Sequence, residues 1–191
     1  TGHSAGGHLA MSYAYTRNSS GKVKAVGSLA GPANLFSMSY YNFNIYNLIL
    51  QPYLGAPLFP ASQTATQRYQ DCSPYYQATA SAPPTIFFHG ELDPVVYTDQ
   101  SNSMYAKLGT LGVARKIIMY PLTFHDWWTN GTKTANTKKT SYTLSAFFFS
   151  TIKSIYVHGL DTSNGSLRIS GEVKRQHNRT LSFSNVYVVA V

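Results

Sequence analysis

Cysteine, acidic residues and long apolar runs are all scarce in this chain, and each scarcity closes a class of fold or function. A single cysteine, Cys72, leaves no internal disulfide framework and no multi-cysteine metal site. Asp and Glu number 7 against 15 Lys and Arg, and charged residues make up 12% of the chain. That is about half the usual quarter. Beside a hydrophobic content of 43% it excludes disorder driven by charge. No run of about 18 apolar residues occurs, so no membrane-spanning helix is expected. The 14 glycines show no period of three, which excludes a collagen-like repeat. No group of His, Cys, Asp and Glu has zinc-ligand spacing, so no metal is expected. The chain opens on Thr1 with no signal-like segment after it, and reads as a piece of something longer.

The net charge of +8 comes from a shortage of acids, not a surplus of bases. The bases are scattered. Lys133, Lys138 and Lys139 lie in a Thr/Asn-rich stretch that reads as a solvated face, and Lys174, Arg175 and Arg179 form a second loose group. No nucleic-acid reading motif accompanies them, so no nucleic-acid partner is expected. Tyr (15) and Phe (10) are plentiful, which suits a secreted or extracytoplasmic setting. Asn18, Asn130, Asn164 and Asn178 open four Asn-x-Ser/Thr sequons.

Along the chain, small turn-forming residues at 1–8 lead into a stretch with helical spacing, Leu9, Ala10, Tyr13 and Ala14. Val23 to Leu29 reads as a buried strand ending at Gly31-Pro32. Residues 35–80 are irregular and aromatic, with helical stretches near 35–51 and 61–70; the segment fits a lid or pocket wall, and equally fits core packing. Thr85 to Phe88 and Lys116 to Tyr120 read as strands, Asp99 to Leu108 and Ser141 to Ile155 as helices. Three strands are thus expected in the first 155 residues. Helices alternating with buried strands imply an α/β fold with a parallel sheet. Residues 156–191 differ in character: Ser166 to Ile169 and Leu181 to Val191 look like the strands of an appended β-hairpin.

Gly2-His3-Ser4-Ala5-Gly6 fits the nucleophile-elbow pattern G-x-S-x-G. The serine of such a motif sits on a sharp turn into a helix. Its neighbours two residues away must be small, because a Cβ there collides with the adjoining strand and helix. The hydroxyl is then exposed where amide dipoles favour developing negative charge. Serine is a poor nucleophile without a base, and in this pattern an acid and then a histidine follow in chain order. Asp93 lies just past one expected strand and His125 just past the next, both at carboxyl ends, where the crevice of an open α/β sheet forms. The expected roles are Ser4 as nucleophile, His125 as base, Asp93 as its orienting acid, and the Ala5 N–H as an oxyanion donor.

Rivals stand beside each residue. Asp126 adjoins His125, and adjacent side chains do not easily meet on one imidazole. Glu91 reads as a loop residue. His3 and His8 belong to the elbow with Gly6 and Gly7, and read as packing or lining residues. His89 ends a strand beside a glycine and reads as a holder of loop backbone. His158 and His177, in the tail, have no evident partners.

The run Gly2-His3-Ser4-Ala5-Gly6-Gly7-His8-Leu9-Ala10 resembles the elbow of α/β-hydrolase serine esterases: the feruloyl/acetyl-xylan esterases, kynurenine formamidase and hormone-sensitive-lipase-like carboxylesterases. Ser73-Pro74 and Pro83 to Val96, with His89-Gly90-x-x-Asp93, are similar to that group's acid loop; Tyr120-Pro121 … His125 is similar to its histidine loop. The resemblance covers about residues 1–155. It implies cofactor-free hydrolysis of a small-molecule or carbohydrate-linked ester by Ser4, Asp93 and His125. It also implies that 1–155 is the C-terminal half of the fold, with earlier strands and a second oxyanion donor lying elsewhere. One departure is Asp126-Trp127-Trp128 after the histidine, where the group usually has a small residue. Prolyl-oligopeptidase-type peptidases carry a similar His-Gly-x-x-Asp loop, but usually an aromatic residue where Ala5 stands. An amide hydrolase of the formamidase kind and a catalytically inactive fragment are the further alternatives.

Overall fold

The computed structural model describes residues 1–37, 63–127, 135–151, 155–161, 168–174 and 180–187. The elements are β1 (Gly2–His3), α1 (Ala5–Thr16), β2 (Val26–Leu29), α2 (Gln63–Asp71), α3 (Pro74–Gln77), β3 (Thr85–Gly90), α4 (Asp99–Thr110), β4 (Arg115–Tyr120), α5 (Ala135–Thr151), β5 (Ile155–Asp161), β6 (Arg168–Lys174) and β7 (Thr180–Tyr187).

β1 to β4 form a parallel sheet in the order β1-β2-β3-β4. All six residues of β3 are buried, as expected of a parallel strand covered on both faces. The pleat divides them. Phe87 joins Met11 and Ala14 of α1 and Met104 and Leu108 of α4 in one core cluster. Ile86 and Phe88 join Tyr120, Trp127 and Leu144 of α5 in the other. Helices therefore cover both faces, the three-layer arrangement of an α/β domain.

Several expectations need correction. The first 155 residues hold a fourth strand, β1, whose two residues are too short to show any periodicity. α1 begins at Ala5 and buries Gly7, Met11 and Ala14, while Leu9 and Tyr13 stand exposed. The elbow sets that face: a Cβ on Gly7 would lie 3.0 Å from the Gly2 carbonyl oxygen and from the Gly31 Cα. α5 begins at Ala135, where Asn136, Thr137, Thr140 and Ser141 are weak helix formers. Tertiary contacts override propensity there: Thr140 Oγ1 lies 2.6 Å from the Tyr120 hydroxyl, and Asn136 Nδ2 donates to Thr123 Oγ1. Finally, Ile155 opens a strand instead of closing a helix. Ile155, Tyr156 and Val157 are β-branched or aromatic, the residues that suit a pleated surface.

β5, β6 and β7 form a separate three-stranded antiparallel sheet, one strand more than the expected hairpin. The expected helix at 61–70 is present as α2. Most of the 35–80 lid or wall segment, including 38–62, lies outside the described residues, as do Asn130, Asn164, Asn178 and His177. In its described part Tyr69 is fully buried while Tyr76 is exposed. The fourth sequon residue, Asn18, is built into a turn: its amide donates to the Val23 carbonyl and accepts from the Val23 N–H. That pair ends the loop and delays β2 to Val26.

Candidate active site

The site lies at the carboxyl ends of β1, β3 and β4. Ser4 follows β1 directly, with φ 54° and ψ −123°, a conformation that costs a non-glycine residue of the order of 1–3 kcal/mol. Two features hold it there. The Ser4 N–H donates to the Leu29 carbonyl at 2.8 Å, while the Ser4 carbonyl accepts from Gly7 and His8. Gly2 supplies the room: a Cβ on it would fall 2.3 Å from the Gly6 backbone. Ala5 stands at the first position of α1, so its N–H has no intrahelical acceptor.

Asp93 follows β3 and is buried. Its Oδ1 accepts from the Val95 and Val96 N–H groups, each at 2.9 Å. Its Oδ2 lies 2.6 Å from His125 Nδ1 and 3.3 Å from His89 Nε2. Burial by itself pushes this carboxyl up, but the hydrogen bonds from His125, His89, Val96 and Val95 outweigh it. They hold the group well below the ordinary value of 3.8.

His125 follows β4, and its other nitrogen, Nε2, lies 2.9 Å from Ser4 Oγ. An ionised carboxylate only accepts, so Nδ1 carries the hydrogen toward Asp93 and Nε2 presents a lone pair to the serine hydroxyl. The acid and histidine loops are tied together: Glu91 N–H donates to the Tyr120 carbonyl, and Leu92 N–H to that of Thr123. Gly90 sits where they converge, and a Cβ there would lie 2.3 Å from the Thr123 carbonyl oxygen.

The structure thus brings Ser4, His125 and Asp93 into one hydrogen-bonded chain. Of the rivals, Asp126 and Glu91 are exposed. His3 is nearly buried, its ring centroid 4.8 Å from that of His125, and its Nε2–H donates to the His125 carbonyl at 2.8 Å. His8 donates through Nδ1 to the Pro32 carbonyl. Burial lowers the pKa of both His3 and His8 below the ordinary 6.5. His89 does hold loop backbone, through the Val96 carbonyl at 2.7 Å. Its approach to Asp93 is not legible in the sequence, where the four-residue spacing leaves the turn geometry open. His158 lies on β5. Among the described residues no group of three or more His, Cys, Asp or Glu side chains could hold a metal ion, and no helix is long and apolar enough to cross a membrane.

A parallel sheet covered by helices on both faces, with an elbow serine and two strand-end loops converging on it, defines the α/β-hydrolase fold. The family model described as BD-FAE matches residues 1–108, more than half of the chain, and the chain belongs to that esterase/hydrolase family. Solved structures agree on the fold. The thermophilic esterase Est2 of the Planctomycetes species Thermogutta terrifontis superposes with a TM-score of 0.59 at 19% identity, over 78% of this chain and 52% of its own. Pyrococcus horikoshii acylaminoacyl peptidase gives 0.61 at 22% identity, over 78% and 23%. A puromycin-hydrolyzing peptidase of Mycobacterium tuberculosis gives 0.58 at 23%, over 78% and 21%. The chain therefore spans about half the length of Est2 and about a quarter or less of the two peptidases. No curated protein matches it.

Proposed function

We propose that this chain carries the nucleophile, base and acid of a serine hydrolase that cleaves carboxylic esters. The observation that carries the reading is the continuous chain from Ser4 Oγ through His125 to Asp93, at 2.9 and 2.6 Å. Ser4 Oγ attacks the acyl carbonyl while His125 Nε2 takes its proton. The same proton then passes to the departing alkoxide, leaving an acyl-serine. Water repeats the sequence and releases the acid. Asp93 keeps the imidazole in the productive tautomer and balances the imidazolium charge. The Ala5 N–H, free of the helix's own bonding, faces the developing oxyanion. No cofactor enters any step. On this reading residues 156–191 form an appended β-rich tail outside the hydrolase unit.

BD-FAE membership favours an ester over an amide. The fold likeness to acylaminoacyl peptidase keeps amide cleavage as the second reading. In the whole protein containing this chain, Ser4→Ala is expected to lower kcat on p-nitrophenyl acetate by about 10⁴-fold or more. Undiminished turnover would refute the assignment of the nucleophile. A matched anilide separates the readings: faster turnover of the anilide than of the ester would overturn the ester preference.

A further inference from the structure

His89 is fully buried, and each of its ring nitrogens is engaged. Nδ1 lies 2.7 Å from the hydroxyl of Ser101, itself fully buried in the first turn of α4. Nε2 lies 2.7 Å from the Val96 carbonyl and 3.3 Å from Asp93 Oδ2. The chemistry of these partners fixes the tautomer. A carbonyl and an ionised carboxylate only accept, so Nε2 carries the hydrogen; Nδ1 then accepts from Ser101. The Nε2–H is shared between a short arm to Val96 and a longer arm to Asp93. Val96 in turn donates its N–H to Asp93 Oδ1. A closed ring results, Asp93 Oδ1 to Val96 to His89 and back to Asp93 Oδ2. Rotating the carboxylate about its χ2 breaks this ring and the bond to His125 together.

We infer that His89 is a positioning residue for Asp93, aiming Oδ2 at His125 and taking up part of its charge, with Ser101 setting the tautomer that makes this possible. The inference rests on the assignment of Ser4, His125 and Asp93 to the reaction. A histidine that merely braces loop backbone would need only the Val96 bond. The arm to Asp93 adds an electrostatic consequence. Without it, the carboxylate is less well satisfied and pulls harder on the His125 proton, so the pair takes up a proton at higher pH. Among the described residues, the other groups around the pair are His3, whose ring lies against His125, Asp126, which acts on His3 through its charge, and the neutral Ser101 hydroxyl from α4.

The experiment is the pH profile of kcat/KM in the whole protein for His89→Leu, His89→Gln and Ser101→Ala. His89→Leu is expected to lower kcat by about 10- to 100-fold with KM little changed, and to move the acid limb up by about one pH unit. His89→Gln keeps an N–H donor at similar reach and is expected to restore most of the limb position. A limb in His89→Leu that coincides with the wild type, or a glutamine that restores nothing, overturns the inference. If His89→Leu fails to fold, Ser101→Ala carries the test: its limb must move in the same direction, and an unmoved limb overturns the inference. Ser4→Ala separates the two levels. Activity retained in Ser4→Ala breaks the assignment of the site, whereas its loss beside an unmoved limb breaks only the role of His89.

Discussion

Ser4 is held in a backbone conformation that glycine adopts freely and serine does not. The strain persists because the Leu29 carbonyl and the Gly2–Gly6 approach leave the chain no other route. Stability and activity should therefore separate at this residue. Ser4→Gly is expected to raise unfolding stability by about 1 kcal/mol while abolishing turnover, and urea titration beside an esterase assay checks both. A destabilised Ser4→Gly would mean that the elbow is not strained.

His3, His8 and Asp93 also make stability depend on pH. Burial depresses the native pKa of both histidines below 6.5. The native state therefore binds fewer protons than the unfolded chain as pH falls below that value. Their contribution is complete above pH 6.5 and drains as pH drops toward the depressed native values. Asp93 follows the same sign lower down: its hydrogen bonds stabilise fully above 3.8 and are lost as pH falls below it. The expected melting profile has a first decline starting near pH 6.5. His8→Asn, which keeps a donor for the Pro32 carbonyl but does not titrate, should make that decline shallower. An unchanged slope would contradict the assignment.

Among elements, the approach of the acid loop to the histidine loop matters most. Gly90 ends β3 where the Thr123 and Phe124 carbonyls press in, so a methyl group there must push backbone, not a yielding side chain. Gly90→Ala is expected to displace the segment that carries His125 and lower kcat by about 100-fold, since misplacement of about 1 Å can cost that much. A kcat within twofold of wild type would show that the loop accommodates the methyl group. Elements also show where the sequence is readable. β3, β4 and α4 were legible because each is long enough to display its period between turn residues. The order of Ser4, Asp93 and His125 was legible because strand-end chemistry sits beside Gly and Pro signals. β1 was too short to show a pattern. The start of α5 depends on Tyr120 and Thr123, which are distant partners in the chain. The His89–Asp93 contact depends on a turn geometry that spacing alone leaves open.

For the whole molecule, the scarcity of acids takes on a definite meaning. One of the seven acids, Asp93, is buried at the junction of two loops and tied to two histidines. The described residues supply that chain from three strand ends of one parallel sheet, while the chain spans about half the length of Est2. The central claim, that Ser4 is the nucleophile of an ester hydrolase, therefore belongs to the whole protein. It is tested most directly by treating that protein with a fluorophosphonate and locating the adduct by peptide mass spectrometry. One adduct on Ser4, absent in Ser4→Ala and slowed in His125→Gln, is the predicted result; a stoichiometric adduct on another residue, or equal labelling of Ser4→Ala, would contradict the account.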